Sequence, residues 1–423
     1  ERDPDDVSMI IYASGTTGPP KGAMISSRNA LETGREIIPM LGISEDDTIL
    51  SYLPLCHVAE KIFTLFMPLT AGCTVHFGES VYTVQSDLKE VSPTVFLGVP
   101  RIWEKIHAGV TLKMKDSSLL KRKIFDFWHA RRKRVAEKRR HGNETILDKI
   151  IFFLAWLFVF RALRERIGMG RCRVPVTGAA PTSEHLIEWF HAIGVDILEG
   201  YGQTESAGVS HINRPHNVKL GTVGQTLPGI ECRIDEDGEI LVRGSNVFEG
   251  YLNMPDATEE TITDEGWLRT GDIGEVDSDG FLSITGRKKQ IIITAGGKNL
   301  SPEKIENALK TSPYIKEAVA IGDQRKFISA LIQIDGDSVG DWAARRGIAY
   351  TSFEDLTEKD EVVELINKEV EKANDKLARV EQVREVRLFP KELHQDDGEV
   401  TATQKVKRRA VMEKYEELIE DMY

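Results

Sequence analysis

The sequence has few cysteines, and the four that it has are far apart: Cys56, Cys73, Cys172 and Cys232. None of them forms a CxxC pair, so the spacing argues against a disulfide framework and against a zinc site. The same scarcity fits a reducing, cytoplasmic environment. The chain also lacks internal repeats and low-complexity tracts.

No apolar run is long enough to span a membrane as a helix. The longest, IIFFLAWLFVF at 150–160, has eleven residues, whereas a bilayer needs about 20. It follows KRKIFDFWHARRKRVAEKRR at 121–140, with ten basic and two acidic side chains. Two interpretations stay open for 121–160: a solvated basic helix followed by a core helix, or peripheral contact with an anionic membrane surface.

An excess of positive charge is also missing. The formal net charge of −12 argues against general nucleic-acid binding, which needs a basic footprint. The acidic opening ERDPDD contains neither an initiator methionine nor a basic, apolar signal peptide. We therefore expect a fragment, and 423 residues are enough for two or three domains.

The stretch SGTTGPPKGAMISSRN at 14–29 concentrates hydroxyls, glycines and one lysine. These residue types predict a loop that wraps a polyphosphate, with an ordinary flexible turn as the alternative. The candidate residues are Ser14, Gly15, Thr16, Thr17, Gly18 and Lys21. The pattern is not a Walker loop, because no Ser or Thr follows Lys21 and because Pro19 and Pro20 have no N–H group.

From about 7 to 208 the pattern alternates strands and helices, which is typical of a layered α/β domain. Strands are predicted at 9–12, 94–99, 173–177 and 196–198, with a helix that starts after Thr182 or Ser183 and ends at Gly194. Three of these strands, at 9–12, 173–177 and 196–198, run into loops rich in glycine and hydroxyl side chains. This arrangement predicts one site at the carboxyl edge of a sheet.

The second half of the chain has a different composition and predicts different elements. From 220 to 285, glycine, aspartate and β-branched residues predict short antiparallel strands with tight turns. A smaller α+β unit follows, with a helix starting at Ser301-Pro302, a helix at 358–377, and strands at 317–321, 327–334 and 383–389.

Five motifs occur in order: YASGTTGPPKG at 12–22, YGQTE at 201–205, GWLRTGD at 266–272, GRKKQIIITAGGKNLSPEKIE at 286–306 and TATQKVKRR at 401–409. Together they resemble the adenylate-forming superfamily of acyl-CoA synthetases, adenylation domains and luciferase. FLGVPRIWEKI at 96–106 and the basic-plus-apolar segment resemble the long-chain fatty acyl-CoA synthetases. Compared with members of that family, the chain lacks the N-terminal part of the large domain.

The resemblance implies an α/β fold in two domains. Residues 1–288 would form the large ATP- and acyl-binding domain, as α/β layers at 1–215 and a distorted β-barrel at 216–288. Residues 289–423 would form a mobile α+β lid. Oligomeric state is not legible from the sequence.

The implied activity is ligation of a long-chain fatty acid to CoA, through an acyl-adenylate made from ATP with Mg²⁺. Three alternatives stay open: a fatty acyl-AMP ligase, an adenylation domain that loads a carrier protein, and an inactive nucleotide-binding fragment. The implied partners are fatty acid, ATP and CoA.

For ATP, the resemblance assigns the 14–21 loop residues to the β- and γ-phosphates. Tyr201, beside Gly202, would stack on adenine. Thr204 would contact a phosphate oxygen, and Glu205 would bind Mg²⁺ together with Thr16. Ribose contacts fall on Asp272 and Arg287.

For catalysis and acyl transfer, the resemblance makes Lys405 the catalytic lysine and Lys289 the hinge. A basic tail is the alternative for Lys405. The glycines and lysine at Gly296, Gly297 and Lys298 would flank pantetheine, or form a plain turn. His57 would lie beside the acyl pocket, with a structural histidine as the alternative. The acyl-binding wall would include Gly178 and Ala179.

Overall fold

A computed structural model of the chain describes residues 3–13, 20–140, 142–401 and 404–423. The predicted phosphate-loop residues 14–18 therefore lie outside the described part. The described chain divides into two compact units. The first contains the residues up to 285 except 107–115, and the second contains 107–115 and 286–423.

The strands, in chain order, are β1 (Val7–Ala13), β2 (Lys21–Ser26), β3 (Thr48–Ser51), β4 (Thr74–Phe77), β5 (Val95–Gly98), β6 (Val174–Thr177), β7 (Leu198–Tyr201), β8 (His211–Ile212), β9 (Gln225–Thr226), β10 (Glu231–Ile234), β11 (Glu239–Arg243), β12 (Gly250–Tyr251), β13 (Leu268–Val276), β14 (Leu282–Arg287), β15 (Ile292–Ile293), β16 (Asn299–Leu300), β17 (Ile315–Ile321), β18 (Ile328–Ile334) and β19 (Val383–Leu388).

The α-helices are α1 (Ser27–Leu41), α2 (Val58–Lys61), α3 (Met67–Ala71), α4 (Val84–Val91), α5 (Pro100–Lys115), α6 (Leu119–Arg140), α7 (Ile146–Ala155), α8 (Arg161–Arg166), α9 (Glu184–Ile193), α10 (Pro255–Thr261), α11 (Pro302–Leu309), α12 (Gly336–Ala344), α13 (Phe353–Thr357), α14 (Asp360–Asn374), α15 (Arg408–Lys414) and α16 (Glu416–Glu420). Two π-helical turns, Ile62–Phe66 and Trp156–Phe160, and one 3₁₀ turn, Thr204–Ser206, complete them. Among these helices of the described chain, none is both long and apolar enough to cross a bilayer.

A seven-stranded sheet forms the centre of the first unit, in the order β4-β3-β5-β6-β7-β8-β9. Its first five strands are parallel, and β8 and β9 are antiparallel. All four residues of β5 and of β6 are buried, as expected for parallel strands that are covered on both faces. The predicted α/β fold class is confirmed.

The helix between β6 and β7 begins and ends as predicted. Ser183 is the N-cap of α9, and Gly194 closes it with a φ of 84°, a value that suits glycine. The strand predicted at 196–198 starts later, at Leu198. Val195 still donates its N–H to the Phe190 carbonyl, so the chain there is finishing the helix rather than joining the sheet.

Two smaller antiparallel sheets belong to the same unit. The first, β1-β2-β12, contains the strand before the predicted phosphate loop. The expectation that this strand shares a sheet edge with β6 and β7 is therefore wrong: β1 pairs antiparallel with β2 and belongs to a separate sheet. The second, β10-β11-β13-β14, is a half-barrel in the region where antiparallel strands were predicted.

The second unit is an α+β body around β17-β18-β19, with the β15-β16 hairpin beside it. Every residue of β18 is buried, and its side chains alternate between two apolar clusters. Ala330 and Ile332 belong to the cluster with Ile305 of α11 and Ile366 of α14. Leu331 belongs to the other cluster, with α15 and the C-terminal residues. A strand buried on both faces is mostly apolar along its whole length, as ISALIQI is apart from Ser329 and Gln333, which is why this strand was predictable.

Candidate active site

Tyr201 and Asp272 meet in the first unit. Tyr201 ends β7, and Asp272 lies in β13 of the half-barrel, where its side chain is buried. The Tyr201 hydroxyl donates to Asp272 Oδ2 at 2.7 Å, although the two residues are 71 positions apart. The ring predicted to stack on adenine and the carboxylate predicted to bind ribose are therefore neighbours.

Gln203 joins the same cluster, and the sequence analysis assigned it no role. Its Nε2 lies 2.8 Å from Asp272 Oδ2, 2.7 Å from the Thr270 carbonyl oxygen and 3.2 Å from the Tyr201 hydroxyl. The side-chain amide thereby holds the Asp272 carboxylate in one orientation. Its only signal in the sequence is its place inside YGQTE, between residues that were assigned.

A second cluster surrounds Tyr251, which the sequence analysis also missed. The Tyr251 hydroxyl donates to Glu205 Oε1 at 2.7 Å, and Lys21 Nζ lies 4.8 Å from the centre of its ring. Pairing of β12 with β2 sets Tyr251 opposite Ala23 and so brings the ring close to Lys21. Burial, together with the Glu205 charge, raises the pKa of Tyr251, so its hydroxyl remains a donor to that carboxylate.

The backbone between β7 and Glu205 leaves no room for a side chain at Gly202. A Cβ there would lie 2.4 Å from the Gly208 carbonyl oxygen. Thr204 and Glu205 then form the 3₁₀ turn, and Ala207 follows with a φ of 46°. This tight return places Glu205 and Gln203 in different clusters although only Thr204 separates them.

The loop after β6 carries the residues predicted for the acyl wall. A Cβ at Gly178 would lie 3.1 Å from the Gly200 carbonyl oxygen, so this strand end packs closely against β7. Ala179 adopts a φ of 67°, which is uncommon for a residue with a side chain.

Glu199 supports the same loop from β7 and was not predicted. Its Oε1 accepts from the Thr182 N–H at 3.2 Å, and the Thr182 hydroxyl lies 2.9 Å from that of Thr177. Burial, with a smaller contribution from the Glu184 charge, raises the pKa of Glu199 to about 8. At neutral pH this carboxyl group is therefore mostly protonated.

His57 is the N-cap of α2. Its Nδ1 accepts from the Ala59 N–H at 3.2 Å, which leaves the proton of the neutral ring on Nε2. This capping contact is the kind that the structural alternative predicts, and the ring is half-buried.

The remaining predicted residues lie in the second unit. Arg287 ends β14, and Lys289 is exposed in the turn that follows it. Gly296, Gly297 and Lys298 are exposed in the turn of the β15-β16 hairpin, where Gly297 has a φ of 72°.

Lys405 is exposed and lies on a tight turn before α15. The Thr401 N–H donates to the Lys405 carbonyl at 2.8 Å, and the Lys405 N–H donates to Thr401 Oγ1 at 3.1 Å. Val400 and Val406 form a β-bridge beneath them, and Gln404 has a φ of 64°. These contacts hold the backbone of Lys405 and Val406 to that of Thr401 and Val400.

The AMP-binding enzyme family matches residues 1–252, and the AMP-binding enzyme C-terminal domain matches residues 289–423. A putative fatty-acid–CoA ligase, fadD11 of Mycobacterium tuberculosis, is 39% identical over 99% of this chain and 74% of its own length. The long-chain-fatty-acid–CoA ligase FadD15 of Mycobacterium bovis is 37% identical over 99% of this chain and 69% of its own length.

Solved structures of the same fold include two adenylating proteins. The adenylation domain of a Mycobacterium chelonae carboxylate reductase has a TM-score of 0.75 at 20% identity, covering 100% of this chain and 61% of that one. The anthranilate CoA ligase AuaEII, in complex with anthranoyl-AMP, has a TM-score of 0.69 at 20% identity, covering 97% of this chain and 67% of that one. From the family match and the relatives together, the chain belongs to the AMP-binding enzyme family.

Proposed function

We propose that this chain is a long-chain fatty-acid–CoA ligase. It forms an acyl-adenylate and pyrophosphate from a fatty acid and ATP, and then transfers the acyl group to CoA with release of AMP. The observation that carries the proposal is the contact of Tyr201, Gln203 and Asp272, in a chain whose relatives are named fatty-acid–CoA ligases.

The nucleoside of ATP is held by this contact. The Tyr201 ring offers a flat apolar face to adenine. An ionised Asp272 carboxylate accepts hydrogen bonds only, so it suits the ribose hydroxyls, with Arg287 as a second contact. Because Gln203 and Tyr201 both donate to Asp272 Oδ2, the carboxylate is oriented before the nucleotide arrives.

The phosphates are held by the 14–18 loop, Lys21 and Thr204. Glu205 fits a Mg²⁺ ion: one oxygen accepts from Tyr251, and no described residue donates a hydrogen bond to the other. Over the described ranges, no group of three His, Cys, Asp or Glu side chains could hold a metal by itself. Mg²⁺ commonly takes one or two carboxylates and fills its other positions with water and substrate phosphates, where it neutralises phosphate charge. Thr16 is the second proposed metal contact.

Adenylation is attack of the fatty-acid carboxylate on the α-phosphorus, with loss of the bond to the β-phosphate oxygen. Lys405 supplies a fixed positive charge where negative charge develops. Lys289 is the proposed hinge that lets the C-terminal unit serve both half-reactions. In acyl transfer, Gly296, Gly297 and Lys298 flank the pantetheine arm, while Gly178, Ala179 and His57 border the acyl group.

The test is a half-reaction assay with palmitate, ATP and Mg²⁺. Pyrophosphate release that turns over only when CoA is present supports the proposal. A stalled acyl-adenylate in the presence of CoA would instead indicate an acyl-AMP ligase or a carrier-loading domain. Calorimetric ATP binding without pyrophosphate release would indicate an inactive nucleotide-binding fragment.

We also propose an anionic membrane surface as a partner, through α6, α7 and the π turn that follows α7. These helices pack against each other: the Phe125 and Phe160 rings are 5.8 Å apart, and Arg132 Cζ lies 3.6 Å from the Phe152 ring. Along α7 and the π turn, apolar side chains at helical spacing face solvent. They are Ile146, Ile150, Phe153 and Leu157, exposed by 80%, 49%, 56% and 41%.

Charge on α6 argues for lipid as the partner of this apolar stripe. The exposed Leu120, Ile124 and Phe127 share one helical face, which continues into the basic Arg131 and Arg134. In the described chain, no carboxylate lies within ion-pair distance of Lys121, Arg122, Lys123, Arg131 or Arg134. Of these cations, Arg131 Cζ lies 4.6 Å from the centre of the Phe127 ring. Cations without a nearby carboxylate in the described chain, beside exposed apolar side chains, suit anionic headgroups above an acyl layer.

Flotation with phosphatidylcholine vesicles, with and without phosphatidylglycerol, tests this partner. We expect binding that needs the anionic lipid and that Phe153→Glu or Lys123→Glu abolishes. Val363→Glu, on the exposed face of α14, is the matched control and should bind as the wild type does. Absence of binding, or binding that these variants leave unchanged, overturns the proposal. So does a Phe153→Glu variant that changes only the solution mass, because the stripe would then contact a second copy.

A further inference from the structure

Glu399 is a buried carboxylate in the segment that leads into the Lys405 turn. The residue is 0% exposed. A carboxylate is costly to bury unless its lone pairs are satisfied. The sequence analysis gave this residue no role, and no step of the proposed reaction uses it.

Four donors surround the Glu399 side chain. Lys414 Nζ lies 2.8 Å from Oε1, the Tyr415 hydroxyl donates to Oε1 at 2.9 Å, and Lys391 Nζ lies 3.3 Å away. The His394 N–H donates to Oε2 at 2.9 Å. Two of these partners, Lys391 and His394, precede Lys405 in the chain, and the other two, Lys414 and Tyr415, follow it, so the carboxylate ties this segment to α15 and to the loop before it.

A short ladder connects Glu399 to the lysine. The Lys407 N–H donates to the Glu399 carbonyl at 2.8 Å, Val400 and Val406 are bridged, and Thr401 donates to the Lys405 carbonyl. Val400 is buried in the apolar cluster with Val411 and Tyr415. The start of this ladder is thus fixed by the apolar packing of Val400 and by the charged contacts of Glu399. Lys405 lies at the other end of the ladder, opposite Thr401.

We propose that Glu399 is a positioning residue for the adenylation half-reaction: it fixes the base of the 399–407 turn and thereby the orientation of Lys405. The inference rests on the proposed function, because Lys405 has a reaction to serve only there. Glu399 itself contacts no substrate. Its effect should therefore appear in the half-reaction that uses Lys405 and be absent from the other.

The experiment compares Glu399→Gln, Lys405→Ala and the double variant in the two half-reactions. We expect Glu399→Gln to slow formation of the acyl-adenylate by about 10- to 100-fold, since misplacing a catalytic group by about 1 Å can cost about 100-fold. Transfer from supplied acyl-adenylate to CoA should stay close to the wild-type rate. The double variant should be no slower in adenylation than Lys405→Ala alone, because residues that act as a unit are not additive.

Glu317→Gln is the control, since it neutralises a different carboxylate of the same unit, which is half-buried and lies 3.3 Å from Lys310. It should leave both half-reactions unchanged. If Glu399→Gln unfolds the unit, Tyr415→Phe removes a single donor and should show the same selective loss on a smaller scale.

Equal losses in both half-reactions, additive losses in the double variant, or an unchanged adenylation rate would each overturn the positioning role. A wild-type chain that makes no acyl-adenylate would instead refute the proposed function. The two failures are therefore distinguishable.

Discussion

Asp272 is the residue on which nucleotide binding depends most directly. Its buried carboxylate already accepts from Tyr201 and Gln203 on a single oxygen. An amide in its place would turn an NH₂ group toward these donors or toward the ribose hydroxyls. Either orientation loses a charged hydrogen bond, worth about 1.5–3 kcal/mol.

We therefore expect Asp272→Asn to weaken ATP binding by about 10- to 100-fold, from that loss of about 1.5–3 kcal/mol. Calorimetry with ATP and Mg²⁺ measures the effect. Asp277→Asn, which alters a partly exposed turn carboxylate paired with Lys219, is the matched control and should bind ATP normally. An Asp272→Asn variant with wild-type affinity would remove Asp272 from the site.

Glu199 should make the folded chain less stable as the pH rises, because burial raises the pKa of its carboxyl group. Its pKa is about 8 in the folded chain, against an ordinary value of 4.5. Between these values the folded state keeps a proton that the unfolded state releases. This contribution to stability is complete below pH 4.5 and is lost as the pH rises through 8.

We expect Glu199→Gln, which cannot ionise, to unfold at a higher temperature than the wild type at pH 9 and at a similar temperature at pH 5. The difference should grow by at most about 1.4 kcal/mol per pH unit across the window. Thermal unfolding followed by circular dichroism at both pH values measures it. A gap of the same size at both would show that Glu199 does not titrate there.

At the scale of elements, the turn after β7 brings the two clusters together. From this one short segment Tyr201 and Gln203 reach Asp272, whereas Glu205 reaches Tyr251. Gly202 allows this because it lets the backbone fold back against Gly208. The chain then turns at Ala207 and Gly208, which both have a positive φ, of 46° and 96°.

We expect Gly202→Ala to lower both adenylation activity and the unfolding temperature, because the added Cβ would lie 2.4 Å from a backbone oxygen that has little freedom to move. Thermal unfolding and the pyrophosphate assay together check this. Gly109→Ala, in α5, meets no atom within 4 Å and should be neutral or slightly stabilising. Wild-type activity in Gly202→Ala would contradict the close packing described for this turn.

Elements were predictable from the sequence where a local signal was strong. The end of α9 at Gly194 and the apolar strand β18 follow from a left-handed cap and from an uninterrupted buried run. The sheet to which β1 belongs could not be predicted from the sequence, because strand pairing depends on residues far along the chain. Gln203 and Tyr251 were missed for the same reason: their partners Asp272, Glu205 and Lys21 are distant in sequence, and no local pattern marks such contacts.

At the scale of the whole molecule, the residues proposed for the reaction come from nearly the full chain, from Lys21 to Lys405, and some lie in each of the two compact units. Each unit has its own sheets and its own buried apolar residues, so each can hold its share of the residues in a fixed arrangement. The domain boundaries, the mobility of the C-terminal unit and its hinge at Lys289 stay predictions. The account requires that the units cooperate on a single ATP molecule.

A single-turnover reaction with labelled palmitate, ATP and Mg²⁺ tests that requirement most directly, with the products separated before and after CoA is added. The account predicts acyl-adenylate and pyrophosphate in equal amounts without CoA, followed by acyl-CoA and AMP once CoA is present. Formation of ADP and inorganic phosphate, or ATP binding with no acyl-adenylate at all, would contradict it.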